Sequence, residues 1–238
     1  MSFDDIRAVL FDLDETLIDV SKSLNAAHLA VAKKLKKFVI KKEMKMTLET
    51  LLEKIKMIDD SMNLVLEYDR DKWWQILLDK LNIEQILAPE FKKNLTNKYW
   101  TSYTASVKPY DDAISTLKHL KAKGYLLGLI TDTDGTPNIK KARIEKLALS
   151  KMFDVIIVAG EDTLDTKPNP EPYLKAARVL NVSSNECVYI GDKPFTDIEG
   201  ALRARMKAIL VCRRTWNIRT GNSPDQIIEN LCKLRSIL

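Results

Sequence analysis

Two aspartates spaced two apart, Asp12 and Asp14, follow directly on the apolar run Arg7-Ala8-Val9-Leu10-Phe11, and Thr16 follows Asp14 at the same spacing. A second apolar run, 125–130, ends in Thr131-Asp132-Thr133-Asp134-Gly135. Thr166-Lys167-Pro168 precedes a helical pattern, and the run 187–190 ends in Gly191-Asp192-Lys193-Pro194-Phe195-Thr196-Asp197. Four connections thus offer carboxylates, hydroxyls and a lysine. Two carboxylates at 4 Å repel by about 4 kcal/mol at an effective dielectric near 20. Gathering Asp12, Asp14, Asp192 and Asp197 therefore requires protonation or a cation beyond the single charge of Lys167. An oxygen-only site with open positions for water and phosphate suits magnesium. Helix capping is the competing use of such residues, chiefly for Asp197 and Thr16. The two-residue spacing at a strand end instead aims Asp12 and Asp14 to one side.

These residues come together only if the elements carrying them share one sheet edge. Continuous rather than alternating hydrophobicity predicts strands buried on both faces, at 7–11, 125–130, 154–158, 187–190 and 207–212. Helical patterns lie between them, at 110–122, 138–149, 171–180, 195–205 and 224–237. Strands alternating with helices imply βαβ units and a doubly wound parallel sheet of the Rossmann-like α/β class. Such sheets place their ligand site at the carboxyl ends of the strands. From Asp19 to Val107 the rhythm breaks into helical patterns at 22–40, 47–59, 72–81 and 90–104. The expected organisation is an α/β core of 1–19 plus 106–238, with an all-helical domain inserted at 20–105.

Composition narrows the remaining classes. The 238 residues are 45% hydrophobic and 30% charged, with 7 Gly and 8 Pro, which excludes disordered and collagen-like chains. No apolar run approaches the roughly 20 residues of a membrane span, and the acidic start Met1-Ser2-Phe3-Asp4-Asp5 is unlike a signal peptide. A cytoplasmic protein with no membrane partner is expected. Cys187, Cys212 and Cys232 lack metal-site spacing; Cys187 and Cys212 lie in apolar runs and are expected to be buried thiols. The entire net charge of +5 falls within 20–105, much of it in 31–42. There Leu24, Ala27, Val31, Leu35 and Phe38 form a helical stripe with lysines between, the pattern of a solvated face. No interleaving of basic and aromatic residues marks a nucleic-acid surface. Trp73 and Trp74 read as core of the insert, and His28 either as a plain helix position or as a residue reaching the site. Arg213, Arg214 and Arg219 read as a solvated loop.

The four motifs, in this order and on these elements, resemble those of the haloacid dehalogenase superfamily across 9–201. The resemblance implies that Asp12 is the nucleophile that takes up the phosphoryl group and Asp14 the general acid and base. Thr131, with the backbone amide of Asp132, would hold phosphoryl oxygens. Lys167 would neutralise charge on the nucleophile and phosphate. Magnesium would be held by Asp12, Asp192 and the backbone carbonyl of Asp14. Asp197 would orient Lys167 or a metal-bound water, and Thr16 would shape the loop. Dehalogenases typically lack the second acid, so Asp14 favours a magnesium-dependent phosphatase of small phosphorylated metabolites. A phosphomutase using the same aspartyl-phosphate is the alternative. The insert occupies the place of a type-one helical cap, and the 35 residues between Thr131 and Lys167 leave no room for a second large one. The similarity extends to archaeal phosphatases of glyceraldehyde 3-phosphate and phosphoglycolate. A monomer or homodimer acting on a small substrate, without nucleic acid, is expected.

Overall fold

Ala8, Val9, Leu10 and Phe11 have no exposed surface at all, as a strand with neighbours on both edges and cover on both faces must. The computed structural model describes residues 3–40, 46–214 and 223–238. In chain order the strands are β1 (Ala8–Phe11), β2 (Ile18–Asp19), β3 (Lys108–Pro109), β4 (Leu126–Asp132), β5 (Val155–Ala159), β6 (Cys187–Gly191), β7 (Lys207–Val211) and β8 (Gln226–Ile228). The α-helices are α1 (Ser21–Ile40), α2 (Leu48–Leu64), α3 (Arg70–Lys80), α4 (Pro89–Thr104), α5 (Ala113–Ala122), α6 (Ile139–Glu145), α7 (Glu171–Leu180) and α8 (Glu199–Arg203).

The chain divides into two compact units. One comprises Met1–Asp19, Lys108–Thr133 and Pro137–Leu238; the other comprises Val20–Val107 together with the tripeptide Asp134–Thr136. In the first unit six strands form one sheet in the order β5-β4-β1-β6-β7-β8, and every pairing within it is parallel. A doubly wound α/β sheet is therefore present as expected. The order reverses direction at β1, with β4 on one side and β6 on the other, which is the crevice where such sheets bind ligands. Under the sheet, Leu10, Ile130, Tyr173, Tyr189, Ile198 and Met206 belong to one buried cluster. Tyr173 and Tyr189 meet edge to face at 4.8 Å.

The expected helix over 224–237 is not formed. Asp225 instead accepts from the Ala208 amide at 2.8 Å and pairs with Lys207, drawing Gln226–Ile228 alongside β7 as a sixth strand. A 3-10 helix covers Leu231–Ser236. The apolar residues Ile227, Ile228, Leu231 and Leu234 mimic a helical stripe, but only Ile228, Leu231 and Leu234 are buried. Cys187 is buried and Cys212 is exposed, which corrects the expectation for Cys212: it lies one residue past the end of β7, its amide still donating to the Ile228 carbonyl at 2.8 Å.

The second unit is built on α1 to α4. Ala27, Val31 and Leu35 of the α1 stripe are fully buried, and Phe38 stacks on Phe91 of α4 at 4.9 Å. Trp73 and Trp74 are core residues, each 1% exposed. Thr47 caps α2 and Asp69 caps α3 through their side chains. The Arg70 guanidinium lies 4.1 to 4.5 Å from the rings of Trp73, Tyr99 and Trp100. Its Nη1 donates to the Asp134 carbonyl at 3.4 Å. Gly135 has φ +77, and a Cβ there would stand 1.9 Å from the carbonyl oxygen of Tyr68. The tripeptide thus packs as part of the helical unit and needs glycine to do so. Lys41 and Lys42 of the basic run lie outside the described residues, as does Arg219.

Candidate active site

Phe11 ends β1, and Asp12 follows with its amide donating to the Ile190 carbonyl of β6 at 2.9 Å. The Asp12 side chain is therefore fixed between the two central strands. Its Oδ1 accepts from Lys167 Nζ at 2.6 Å, and the same ammonium donates to Asp197 Oδ1 at 2.7 Å. Tyr189, from β6, receives a third and longer bond from Lys167 at 3.3 Å. The Lys167 amide donates to Asp132 Oδ1 at 2.9 Å, which ties the lysine loop to the end of β4. Asp197 Oδ2 accepts from the Lys193 amide at 2.9 Å, and a Cβ on Gly191 would approach the Asp197 carboxyl carbon to 2.4 Å. Gly191 is thus what allows the loop after β6 to fold back with Asp197 against it.

Asp12, Asp192 and Asp197 are all buried, and one carboxylate oxygen from each lies within 4.8 Å of the others. Burial pushes the Asp12 carboxyl up to about 6 despite the opposing charge of Lys167. Burial likewise drives Asp192 well above the carboxylate range, with Lys193 opposing it. Burial alone would lower Lys167, but Asp12 and Asp197 hold it well above the lysine range. The loop is therefore crowded with negative charge that two lysines do not fully relieve.

Asp14 faces different neighbours. The turn holding it has the Glu15 amide on the Ile18 carbonyl at 2.9 Å, with Glu15 at φ 63. The Asp14 carboxylate accepts from Lys140 Nζ at 2.6 Å through Oδ2 and from Arg143 Nη2 at 2.7 Å through Oδ1. Both cations stand on α6, three residues apart and hence on one face. The Asp14 side chain is 23% exposed, against 5% for Lys140 and 6% for Arg143.

These four loops, their order and their strand ends decide the family. Residues 9–211 match haloacid dehalogenase-like hydrolases. The chain belongs to that family. It is 29% identical over 224 residues to a glyceraldehyde 3-phosphate phosphatase of Methanopyrus kandleri, covering 93% of this chain and 91% of the relative. It is 31% identical over 206 residues to a phosphoglycolate phosphatase of Aquifex aeolicus, covering 86% and 84%. A crystal structure of a haloacid dehalogenase-like hydrolase from Bacillus subtilis bound to magnesium shares the fold, with a TM-score of 0.73, 21% identity and 98% of each chain covered.

In this hydrolase Thr131 is 2% exposed at the end of β4. The Thr133 hydroxyl donates to Glu161 Oε1 at 3.0 Å. The fully buried Thr16 hydroxyl has no hydrogen-bond partner among the described residues. His28 is 5% exposed inside the helical unit, where its Nε2 meets Asp59 Oδ2 at 2.6 Å. Arg213 is not a solvated loop residue: it pairs with Asp112 at 2.6 Å and stacks over Tyr110 at 4.0 Å. Sequence reasoning missed Lys140 and Arg143 altogether. The available signal was two cations spaced by three within the helical pattern 138–149.

Proposed function

We propose that this hydrolase is a magnesium-dependent phosphatase of small phosphorylated metabolites, working through an aspartyl-phosphate on Asp12. The observation that carries this reading is the buried Asp12, bonded to Lys167 at 2.6 Å, with Asp192 and Asp197 alongside. The donor set is oxygen only and its charge is incompletely balanced, which suits a hard divalent cation. Asp12 and Asp192, with the Asp14 carbonyl, would hold magnesium, which when bound supplies Lewis-acid stabilisation of phosphoryl oxygens. Relatives that are phosphatases of glyceraldehyde 3-phosphate and phosphoglycolate support a small phosphate ester as substrate.

The chain's own residues then divide the work. The Asp12 carboxylate attacks phosphorus, forming the O–P bond as the ester P–O bond breaks. Asp14 passes a proton to the departing alkoxide. Water next attacks phosphorus while Asp14 takes its proton, the acyl-phosphate P–O bond breaks, and inorganic phosphate leaves with Asp12 regenerated. Lys167 balances charge on Asp12 and the phosphoryl group throughout. Thr131 and the Asp132 amide cradle phosphoryl oxygens, Asp132 and Asp197 hold Lys167, and Thr16 shapes the first loop. The helical segment 20–105 is the cap over a small substrate, in a cytoplasmic monomer or homodimer.

Phosphate release from a panel of small phosphate esters, with magnesium and then with EDTA, tests the reading. Release that is selective among esters, abolished by EDTA and absent in Asp12→Asn is expected. Full turnover by Asp12→Asn would sink it. Activity confined to a sugar phosphate given a bisphosphate activator would favour the mutase.

A further inference from the structure

The two acids at the end of β1 receive opposite allotments of positive charge. Asp12 shares the ammonium of Lys167 with Asp197, one cation to two carboxylates. Asp14, two residues on, pairs with two cations, Lys140 at 2.6 Å and Arg143 at 2.7 Å. A single salt bridge would neutralise it. Burying a lysine and an arginine to 5% and 6% is costly, because desolvation penalises each charge. As a stability device the arrangement is a poor one, since buried ion pairs often contribute less than apolar residues of the same volume. What two donors on separate oxygens do accomplish is geometric: a carboxylate bonded through both Oδ1 and Oδ2 cannot rotate about χ2 without breaking one bond.

The helix supplying them is itself anchored. Glu161 accepts from the Asn138 amide at 3.0 Å through one oxygen and from the Thr133 hydroxyl at 3.0 Å through the other. Lys141 pairs with Asp162 at 2.6 Å, and Ile144 is buried. The first residues after β5 therefore fix the start of α6, and α6 fixes Asp14. The carboxylate is the most exposed member of the trio, as a group that must meet a substrate would be.

We propose that Lys140 and Arg143 are positioning residues that lock the Asp14 carboxyl in the orientation for proton transfer to the leaving oxygen. The inference rests on the phosphatase reading, in which Asp14 is the acid and base. Misplacing a catalytic group by about 1 Å can cost about a hundredfold in rate. That loss falls on reactions whose leaving group needs a proton. An alkyl phosphate expels a strongly basic alkoxide and depends on the acid; p-nitrophenyl phosphate expels a stable phenolate and depends on it little.

The experiment compares an alkyl phosphate found in the ester panel with p-nitrophenyl phosphate, in wild type, Lys140→Met and Arg143→Met, and in the same changes on an Asp14→Asn background. The expected result is a fall in kcat of about a hundredfold on the alkyl ester and less than about tenfold on the aryl ester, with KM nearly constant. On the Asp14→Asn background the further loss should be less than about threefold, because both changes act through one group. Equal losses on both esters, a rise in KM alone, or full additivity with Asp14→Asn would overturn the proposal. If a methionine variant fails to fold, Lys140→Arg and Arg143→Lys take its place, and they should retain the ester discrimination of wild type. Wild type that hydrolyses neither ester overturns the phosphatase reading itself, an outcome distinct from active wild type with indifferent variants.

Discussion

Lys167 bridges the buried carboxylates of Asp12 and Asp197, and its loss illustrates how charge and the proposed catalysis are linked. With the ammonium gone, Asp12 and Asp197 would face each other without compensation in a buried setting. Lys167→Ala should lower kcat at least about a hundredfold, the scale of losing one electrostatic stabiliser. Raising magnesium in steady-state assays should not restore it; full rescue would make Lys167 a simple counter-ion. The gathering of Asp12, Asp192, Asp197 and Lys167 was legible in the sequence because they lie in connections that follow apolar runs or lead into helical patterns, and strand ends collect at one edge. Lys140 and Arg143 were not. A charged pair spaced by three normally marks the wet side of a helix, and only the placement of α6 beside the first loop turns that side inward. Cys212 was misread for the complementary reason: an apolar run says nothing of where its strand stops.

The candidate site lies on loops after strands, and the helical unit carries a buried network of its own. Asp59 of α2 accepts from Tyr99 of α4 at 2.7 Å and from Asn63 at 2.6 Å, and meets His28 of α1 at 2.6 Å. Burial pushes the Asp59 carboxyl up, but the His28 hydrogen bond and the Arg70 charge outweigh it and hold the group below its usual value. A depressed carboxylate stabilises the fold at pH above its unfolded value of 3.8 and loses that contribution as pH falls further, through the folded value. Asp59→Ala should destabilise the protein by about 3–5 kcal/mol near neutrality. Urea unfolding from about pH 6 to about pH 3 should show the gap between wild type and variant closing only at the acid end. In the sheet, Gly191→Ala should displace Asp197 and cost about 1–3 kcal/mol of overpacking, read by thermal unfolding. The five central strands and the four helices of the second unit could be read from hydrophobic period alone. The strand Gln226–Ile228 could not, because Asp225 decides it through a bond to the Ala208 amide, and pairing with a distant amide leaves no periodic trace.

Across the whole molecule, no helix among the described residues is long and apolar enough to cross a membrane. A cation held by the three-carboxylate cluster would couple ligand occupancy to folding. A cation bound only by the folded chain stabilises it by RT ln(1 + [L]/Kd), about 2.7 kcal/mol at a hundredfold excess over Kd. Magnesium should therefore raise the thermal midpoint of wild type, and Asp192→Asn should remove most of the rise; an equal rise in the variant would place the ion elsewhere. The tripeptide Asp134–Thr136 carries a further consequence for how such chains can be recombined. It leaves β4 just after Thr131 and Asp132, yet it packs with Tyr68 and Arg70 in the helical unit. That unit is thus a mosaic of two stretches separated by 26 residues of the chain. A chimaera that transplanted Val20–Val107 alone would leave its Arg70 without the Asp134 carbonyl and its Tyr68 without the glycine it packs against. The heritable module is the insert plus three residues encoded 26 codons downstream of it, and exchange of one without the other would yield a mismatched pair.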